Sequence, residues 1–321
     1  MKMDKVLVTA TDYARNCAAG KKYLEENGFS VVENPHGRPM TLAELSEYLP
    51  EISAVVAGVD DWTDEVLESA PNLKIIARFG VGVDNIDLSA ARARGIKVTN
   101  ARGANADAVA ELAVGGMLAL LRSFRRLDRT TREGKWERLV GHTLRGRTLG
   151  LVGFGAIARY VAKLARAFDA EVVAFDSYPD EAAARSLGVR FVPLDELLSV
   201  CDIISLHVPA TPETKNLINR DTLSRLKPGA ILVNTARGAV VDEDALYDAL
   251  KSGQLAGAAL DVHATEPVAA TDPLFTLDNV LVFPHTAAET WETYHQVGLI
   301  TAEAVVDVIR HGKEPVNWLN G

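Results

Sequence analysis

Apolar positions along this chain fall into two alternating patterns. In the first hundred residues, short apolar runs at 6–9, 30–33, 54–57, 73–77 and 97–99 predict β-strands. Between them, segments 14–27 (closed by Gly28), 41–48 and 63–70 (stopped at Pro71) carry helical spacing. The alternation predicts a compact α/β unit on a largely parallel sheet. From 148 to 284 it resumes, with apolar runs at 149–152, 172–175, 202–208, 230–234, 256–260 and 279–283. Six such runs match a doubly wound sheet. A helix over 289–310 closes the chain and is expected to pack back on the first unit.

The segment joining the two halves differs from both. Residues 105–127 predict a long helix rich in small residues, with Gly115 and Gly116 in its middle. Each glycine there costs about 1 kcal/mol relative to alanine, so a tight contact, with a second subunit among the candidates, is expected to compensate. Residues 128–146 are polar but contain Trp136 and Leu139. They read as an arm exchanged between subunits, with a surface crossover as the alternative.

Composition narrows the class. The chain has 321 residues, 48% of them hydrophobic, which is enough for two cores. A net charge of −9 argues against a nucleic-acid backbone as partner. The two cysteines, Cys17 and Cys201, lie in no metal or CxxC pattern. With no apolar run of membrane-spanning length and no leader-like start, a cytoplasmic protein without a membrane partner is expected.

The candidate chemistry begins at Leu149-Gly150-Leu151-Val152-Gly153-Phe154-Gly155-Ala156-Ile157-Ala158. An apolar run enters a glycine cluster that opens a helical pattern, and a second run, 172–175, ends at Asp176. Strand, glycine turn, helix, strand and acid in that order predict a dinucleotide site. Gly153 would form the tight turn, Gly155 would let a pyrophosphate approach, and Ala158 would let helix and strand pack closely. Asp176 would accept from a ribose diol and repel a 2′-phosphate, favouring NAD over NADP. Arg185 is the downstream cation that could complicate that preference. A βαβ unit whose glycines serve packing alone is the plainer alternative.

Three further strand ends hold polar residues. Arg237, in Asn234-Thr235-Ala236-Arg237-Gly238, could grip a carboxylate with two parallel hydrogen bonds, or pair with an acid such as Asp242. Glu266 and His285 are the best candidates for a proton relay, because imidazole titrates near neutrality and a carboxylate would fix its tautomer. Sequence alone does not bring them together, and two separate structural residues are the alternative. His207 reads as a cofactor-pocket wall, and His142 and His263 as structural or exposed. No metal site is expected, since no cluster has ligand spacing.

Taken together, these segments resemble the D-2-hydroxyacid dehydrogenase family, in its phosphoglycerate-dehydrogenase-like branch. The matching pieces are Gly80 to Asp87, Asn105 to Glu111, the 150–158 loop, His207-Val208-Pro209, Lys227-Pro228-Gly229, Asn234 to Asp242, Ala256 to Pro267 and Pro284-His285. The resemblance implies two Rossmann-like domains: a doubly wound NAD-binding domain, 101–285, inserted into a smaller flavodoxin-like substrate domain, 1–100 with 286–321. It implies hydride transfer between nicotinamide C4 and C2 of a small 2-hydroxy or 2-oxo acid. Arg237 would bind the substrate carboxylate, His285 would exchange the proton, and Glu266 would hold and charge His285. Val81 and Gly82 would offer backbone N–H groups to the carboxylate, with Arg78 nearby. Asp261 would bind the carboxamide. Ala156, Ile157, Val208, Pro209, Thr235, Ala236, His285 and Ala288 would line the cofactor. A homodimer through about 105–140 is also implied.

Departures from the family pattern shape the substrate expectation. Ala156 stands where an arginine is usual, Ala158 where a third glycine is, and His263 where a phenylalanine is common. Phosphoglycerate enzymes carry cations near positions 57 and 61, whereas Val56-Ala57-Gly58-Val59-Asp60-Asp61 is apolar, then acidic. The expectation is therefore an NAD-dependent reductase of the glyoxylate or hydroxypyruvate kind. Phosphoglycerate oxidation is the enzyme alternative and an NAD-sensing corepressor the non-enzyme one. Formate oxidation, which in the family uses a glutamine–histidine pair, is disfavoured by Glu266.

Overall fold

The computed structural model describes residues 3–11 and 13–321; Met1, Lys2 and Asp12 lie outside it. The chain divides into two compact units. One ends at Asn105 and resumes at Glu289, and the other runs Ala106–Ala288. Both are Rossmann-like layers of helices on a parallel sheet, the fold that the alternating pattern predicts.

In the first unit, β1 (Lys5–Val8), β2 (Ser30–Glu33), β3 (Ile52–Ala57), β4 (Ile75–Arg78) and β5 (Lys97–Asn100) form one sheet in the order β2-β1-β3-β4-β5. All four pairings are parallel. Every residue of β3 is buried, as a strand covered on both faces requires. The last helix, Trp291–His311, packs against Ala18–Glu26 in this unit. Glycines make that contact possible: a Cβ on Gly20 would lie 2.5 Å from the Gly298 carbonyl oxygen. The segment expected as one helix over 14–27 is instead Tyr13–Asn16 and Ala18–Glu26. Cys17, at φ −128°, leaves the helical region between them, and its thiol reaches the Tyr294 carbonyl.

In the second unit, β6 (Thr148–Val152), β7 (Glu171–Phe175), β8 (Arg190–Phe191), β9 (Ile203–Leu206), β10 (Ala230–Asn234), β11 (Leu255–Leu260) and β12 (Val280–Val282) form a parallel sheet in the order β12-β11-β10-β9-β6-β7-β8. Chain order reverses between β6 and β9. That reversal opens a crevice at the carboxyl ends of the strands, where ligands bind in open α/β sheets. β8, two residues long, escapes the sequence pattern.

The joining segment corrects one expectation. The helix stops at Leu121, Ser123 adopts φ 52°, and a separate helix spans Phe124–Arg132. The small residues of Ala106–Leu121 are largely buried within the chain itself. Ala110 and Ala113 share a core with Ala158 and Ala162, and a Cβ on Gly116 would sit 3.0 Å from that of Ala259. Close approach to this chain's own sheet explains Gly116 without a second subunit. Gly115 is exposed.

Opposite the crevice, Asp202 ties together the amino ends of three strands. It accepts from the Thr148 N–H at 3.0 Å and from Lys227 Nζ at 2.7 Å, with Arg147 at 3.4 Å. Burial pushes this carboxyl up, but these donors outweigh it and hold it below the usual range. Its stabilisation is therefore complete above the unfolded carboxylate pKa, about 3.9, and is lost as pH falls through the lower folded value. Asp202→Asn should cost about 1–3 kcal/mol at neutral pH in urea melts. The gap from wild type should shrink below about pH 4, and a gap unchanged down to pH 2 would contradict this account.

Candidate active site

The strand ends at the reversal carry a phosphate cradle. Gly153, just after β6, has φ +92°, and a Cβ there would lie 2.7 Å from the His207 carbonyl oxygen. Glycine alone meets both demands. Gly155 caps the helix Ala156–Ala167 without any side-chain hydrogen bond, and a Cβ on it would meet nothing within 4 Å. The first N–H groups, at Ala156 and Ile157, thus face open space at the positive end of a helix. That is what a pyrophosphate requires, so the residues present fit a dinucleotide. Ala158 is buried in the core below.

Asp176 follows β7 and folds toward the cradle. Its Oδ2 accepts from the Phe154 N–H at 2.7 Å and its Oδ1 from the Tyr178 N–H at 2.8 Å. Each carboxylate oxygen keeps a further lone pair for a ribose hydroxyl. Arg185 is exposed and lies 3.9 Å from Glu181, one helical turn away. Arg159, which the sequence reading passes over, donates to the Phe154 carbonyl at 3.1 Å and to Asp180 at 2.9 Å. It therefore braces the loop that lacks an arginine at Ala156.

His207 follows β9. Its Nε2 lies 2.9 Å from Ser205 Oγ, and burial pushes the imidazole down to about 3, so the ring is neutral. A neutral, enclosed ring suits a wall rather than a base. Val208, beside it, would touch a Cβ on Gly153, and Pro209 is exposed. Thr235 and Ala236 are half-buried at the end of β10, and Ala288 closes the unit.

Arg237 is placed by its neighbours. Asn234 Nδ2 donates to the Arg237 carbonyl at 3.0 Å, and Asn234 Oδ1 accepts from the Ala236 N–H at 3.0 Å. The guanidinium donates to the Ala236 carbonyl at 2.7 Å. Asp242, offered above as an alternative partner, caps the next helix by accepting from the Ala245 N–H. A Cβ on Gly238 would lie 1.9 Å from the His263 carbonyl oxygen, so the loops after β10 and β11 are pressed together.

The loops after β11 and β12 bring Glu266 to His285, with Oε2 2.7 Å from Nδ1. Glu266 Oε1 accepts from the His263 N–H at 2.9 Å. Burial raises this carboxyl, but the bonds from His285 and His263 prevail and hold it below the usual range. Glu266 is therefore an acceptor, and Nδ1 carries the proton between them. That leaves Nε2 of a half-exposed ring for other chemistry.

His285 has φ +53°, which is strained for a residue with a side chain. Asp261, 1% exposed, holds it there. The Asp261 carbonyl accepts the His285 N–H at 2.8 Å, and its carboxylate accepts the N–H groups of Thr286 at 2.8 Å and Ala287 at 3.0 Å. This anchoring is not readable from sequence; a carboxamide contact by Asp261 would use its remaining lone pairs.

In the first unit, Arg78 ends β4 and turns its guanidinium onto the carbonyls of Phe79 and Ala57. Val81 and Gly82 follow, half-buried, with Asn100 Nδ2 donating to the Val81 carbonyl at 2.7 Å. Of the two acids in the 56–61 segment, Asp60 is 1% exposed and accepts from the Met40 N–H at 2.6 Å, so only the exposed Asp61 is placed to repel a phosphate.

Comparison with known proteins gives this geometry a family. Residues 114–287 match the D-isomer specific 2-hydroxyacid dehydrogenase, NAD binding domain. The chain is 45% identical over 291 residues to D-3-phosphoglycerate dehydrogenase of Archaeoglobus fulgidus, covering 90% of this chain and 55% of that protein. It is 45% identical over 269 residues to hydroxypyruvate reductase of Thermotoga maritima, covering 82% of this chain and 86% of that one. The crystal structure of D-lactate dehydrogenase from Aquifex aeolicus, complexed with NAD and lactic acid, superposes with a TM-score of 0.86 at 30% identity, over 98% of this chain and 99% of that one. The chain belongs to the D-isomer specific 2-hydroxyacid dehydrogenase family of NAD-dependent oxidoreductases. Its second unit holds that family's NAD-binding domain. No helix among the described residues is long and apolar enough to cross a membrane.

The cofactor preference expected of Asp176 can be read by kinetics. Asp176→Asn keeps an acceptor for the Phe154 N–H but removes the charge. Wild type should favour NADH over NADPH in kcat/KM, and the variant should narrow that ratio by about tenfold, or about 1.4 kcal/mol. An unchanged ratio would mean that Asp176 does not set it.

Proposed function

We propose that the protein is an NAD-dependent reductase of small, unphosphorylated 2-oxo acids, of the glyoxylate or hydroxypyruvate kind, also able to oxidise the matching 2-hydroxy acids. The observation that carries this reading is the 2.7 Å pair of Glu266, after β11, and His285, after β12, on the two strands next along the sheet from β10, which presents Arg237. Bound NADH would supply hydride to substrate C2. Arg237 would grip the carboxylate and draw charge from the carbonyl oxygen. His285 Nε2 would give that oxygen a proton, while Glu266 stabilises the imidazolium it comes from. In oxidation the same nitrogen would take the proton back. Arg78, Val81 and Gly82 are proposed as substrate-binding residues on the family resemblance alone.

Phosphoglycerate is the second reading, favoured by relatives such as the Archaeoglobus enzyme. Against it stands the 56–61 segment, which offers no cation and presents exposed Asp61. A phosphate dianion there would be repelled at close range. A homodimer through about 105–140 is proposed on different grounds from the helix glycines. Phe124, Trp136 and Val140 are 54%, 87% and 100% exposed, an apolar display that a second copy would cover. Both cysteines are free and buried, which suits a reducing cytoplasm.

Two measurements test these proposals. With NADH and a panel of 2-oxo acids, His285→Ala should lose at least about a hundredfold in kcat while still binding NADH. Glu266→Gln should lower kcat about tenfold at neutral pH, because a neutral amide is a weaker acceptor for the Nδ1 proton than the carboxylate that holds the ring at 2.7 Å. Near-wild-type kcat in His285→Ala would remove the proton-donor assignment. Light scattering at micromolar concentration should give twice the chain mass, and a stable monomer would overturn the arm as an interface.

A further inference from the structure

We propose that His263 is the positioning residue of the His285–Glu266 pair, holding by one side chain and one backbone group the two loops that carry them. His263 is 8% exposed. Its backbone N–H donates to Glu266 Oε1 at 2.9 Å. Its ring Nε2 lies 3.3 Å from the carbonyl oxygen of Phe283, two positions before His285. One residue therefore touches the loop of the carboxylate and the loop of the imidazole.

The surroundings fix which ring nitrogen carries hydrogen. A carbonyl oxygen only accepts, so Nε2 is protonated toward Phe283. The other nitrogen, Nδ1, is enclosed, has no hydrogen-bond partner, and faces Glu243 Oε1 at 3.8 Å. Glu243 begins the helix Glu243–Ser252 and accepts from the Ala264 N–H at 2.9 Å. Burial pushes its carboxyl up. The Phe283 carbonyl therefore calls for a donor at the Nε2 position, which an apolar ring would lack. From the other side, Gly238 presses on the His263 carbonyl, so the residue cannot withdraw from its place.

A phenylalanine here would fill the space and keep the backbone bond to Glu266. It would lose the bond to the Phe283 carbonyl, and with it the tether on the His285 turn. A glutamine would restore a donor at the reach of Nε2. This inference rests on the proposed role of His285, and the experiment separates the two. In NADH-dependent reduction, His263→Phe should lower kcat about tenfold, with KM for the 2-oxo acid and NADH affinity changed less than about twofold. His263→Gln should recover most of the loss. In a His285→Ala background, His263→Phe should add no further loss, because its effect passes through His285. Wild-type kcat in His263→Phe, no recovery in a folded His263→Gln, or multiplying losses in the double variant would each overturn the proposal. Full activity in His285→Ala alone would instead overturn the proton-donor reading on which it rests.

Discussion

Asp261 is a carboxylate taken almost wholly out of water at the end of a strand, with three backbone N–H groups of the next loop arriving at it. An unpaired charge at that depth would cost several kcal/mol. Two of those N–H groups reach the carboxylate, and such bonds to a charged acceptor contribute about 1.5–3 kcal/mol each. They outweigh the roughly 1–3 kcal/mol of a left-handed residue, so His285 can sit at φ +53°. From that backbone the ring meets Glu266, and the remaining polar contacts of the loops follow from its position.

The sheet supplies the larger constraint. Parallel strands deliver all their following loops to one edge. The turns after β6, β9, β10, β11 and β12 therefore share an edge without being neighbours in sequence. The cradle, the neutral His207 and the segments of Arg237, Glu266 and His285 come together for this reason. The candidate acids and bases lie at the carboxyl edge, while at the amino edge Asp202 joins strand ends.

Much of this is legible in the sequence. Continuous apolar runs and helical spacing, with glycine and proline punctuation, mark the alternating elements because both sheets are covered on both faces. The glycine turn and Asp176 were legible because phosphate approach constrains residue type at fixed spacing. What escaped depended on contacts remote in sequence. Nothing in Leu121-Arg122-Ser123-Phe124 announces a helix break. Gly116 looked like an intersubunit contact because Ala259 lies on a strand far along the chain. Nothing in the sequence marks Asp60 as buried, because its partner, the Met40 N–H, belongs to another loop. His263 drew notice as a departure, but its meaning lay in Glu243 and Phe283, which only the folded sheet places beside it.

The helix Ala156–Ala167 begins at a glycine that offers its first N–H groups no side-chain acceptor. Many helices carry that acceptor in their own sequence, and a glycine in its place costs roughly a few tenths of a kcal/mol. Here the position belongs to a diffusible molecule. By mass action, a nucleotide at a hundred times its dissociation constant adds about 2.7 kcal/mol to the folded state. The thermal resistance and proteolytic lifetime of this unit therefore follow the dinucleotide concentration around it. A shortage of cofactor would lower the amount of protein as well as its turnover.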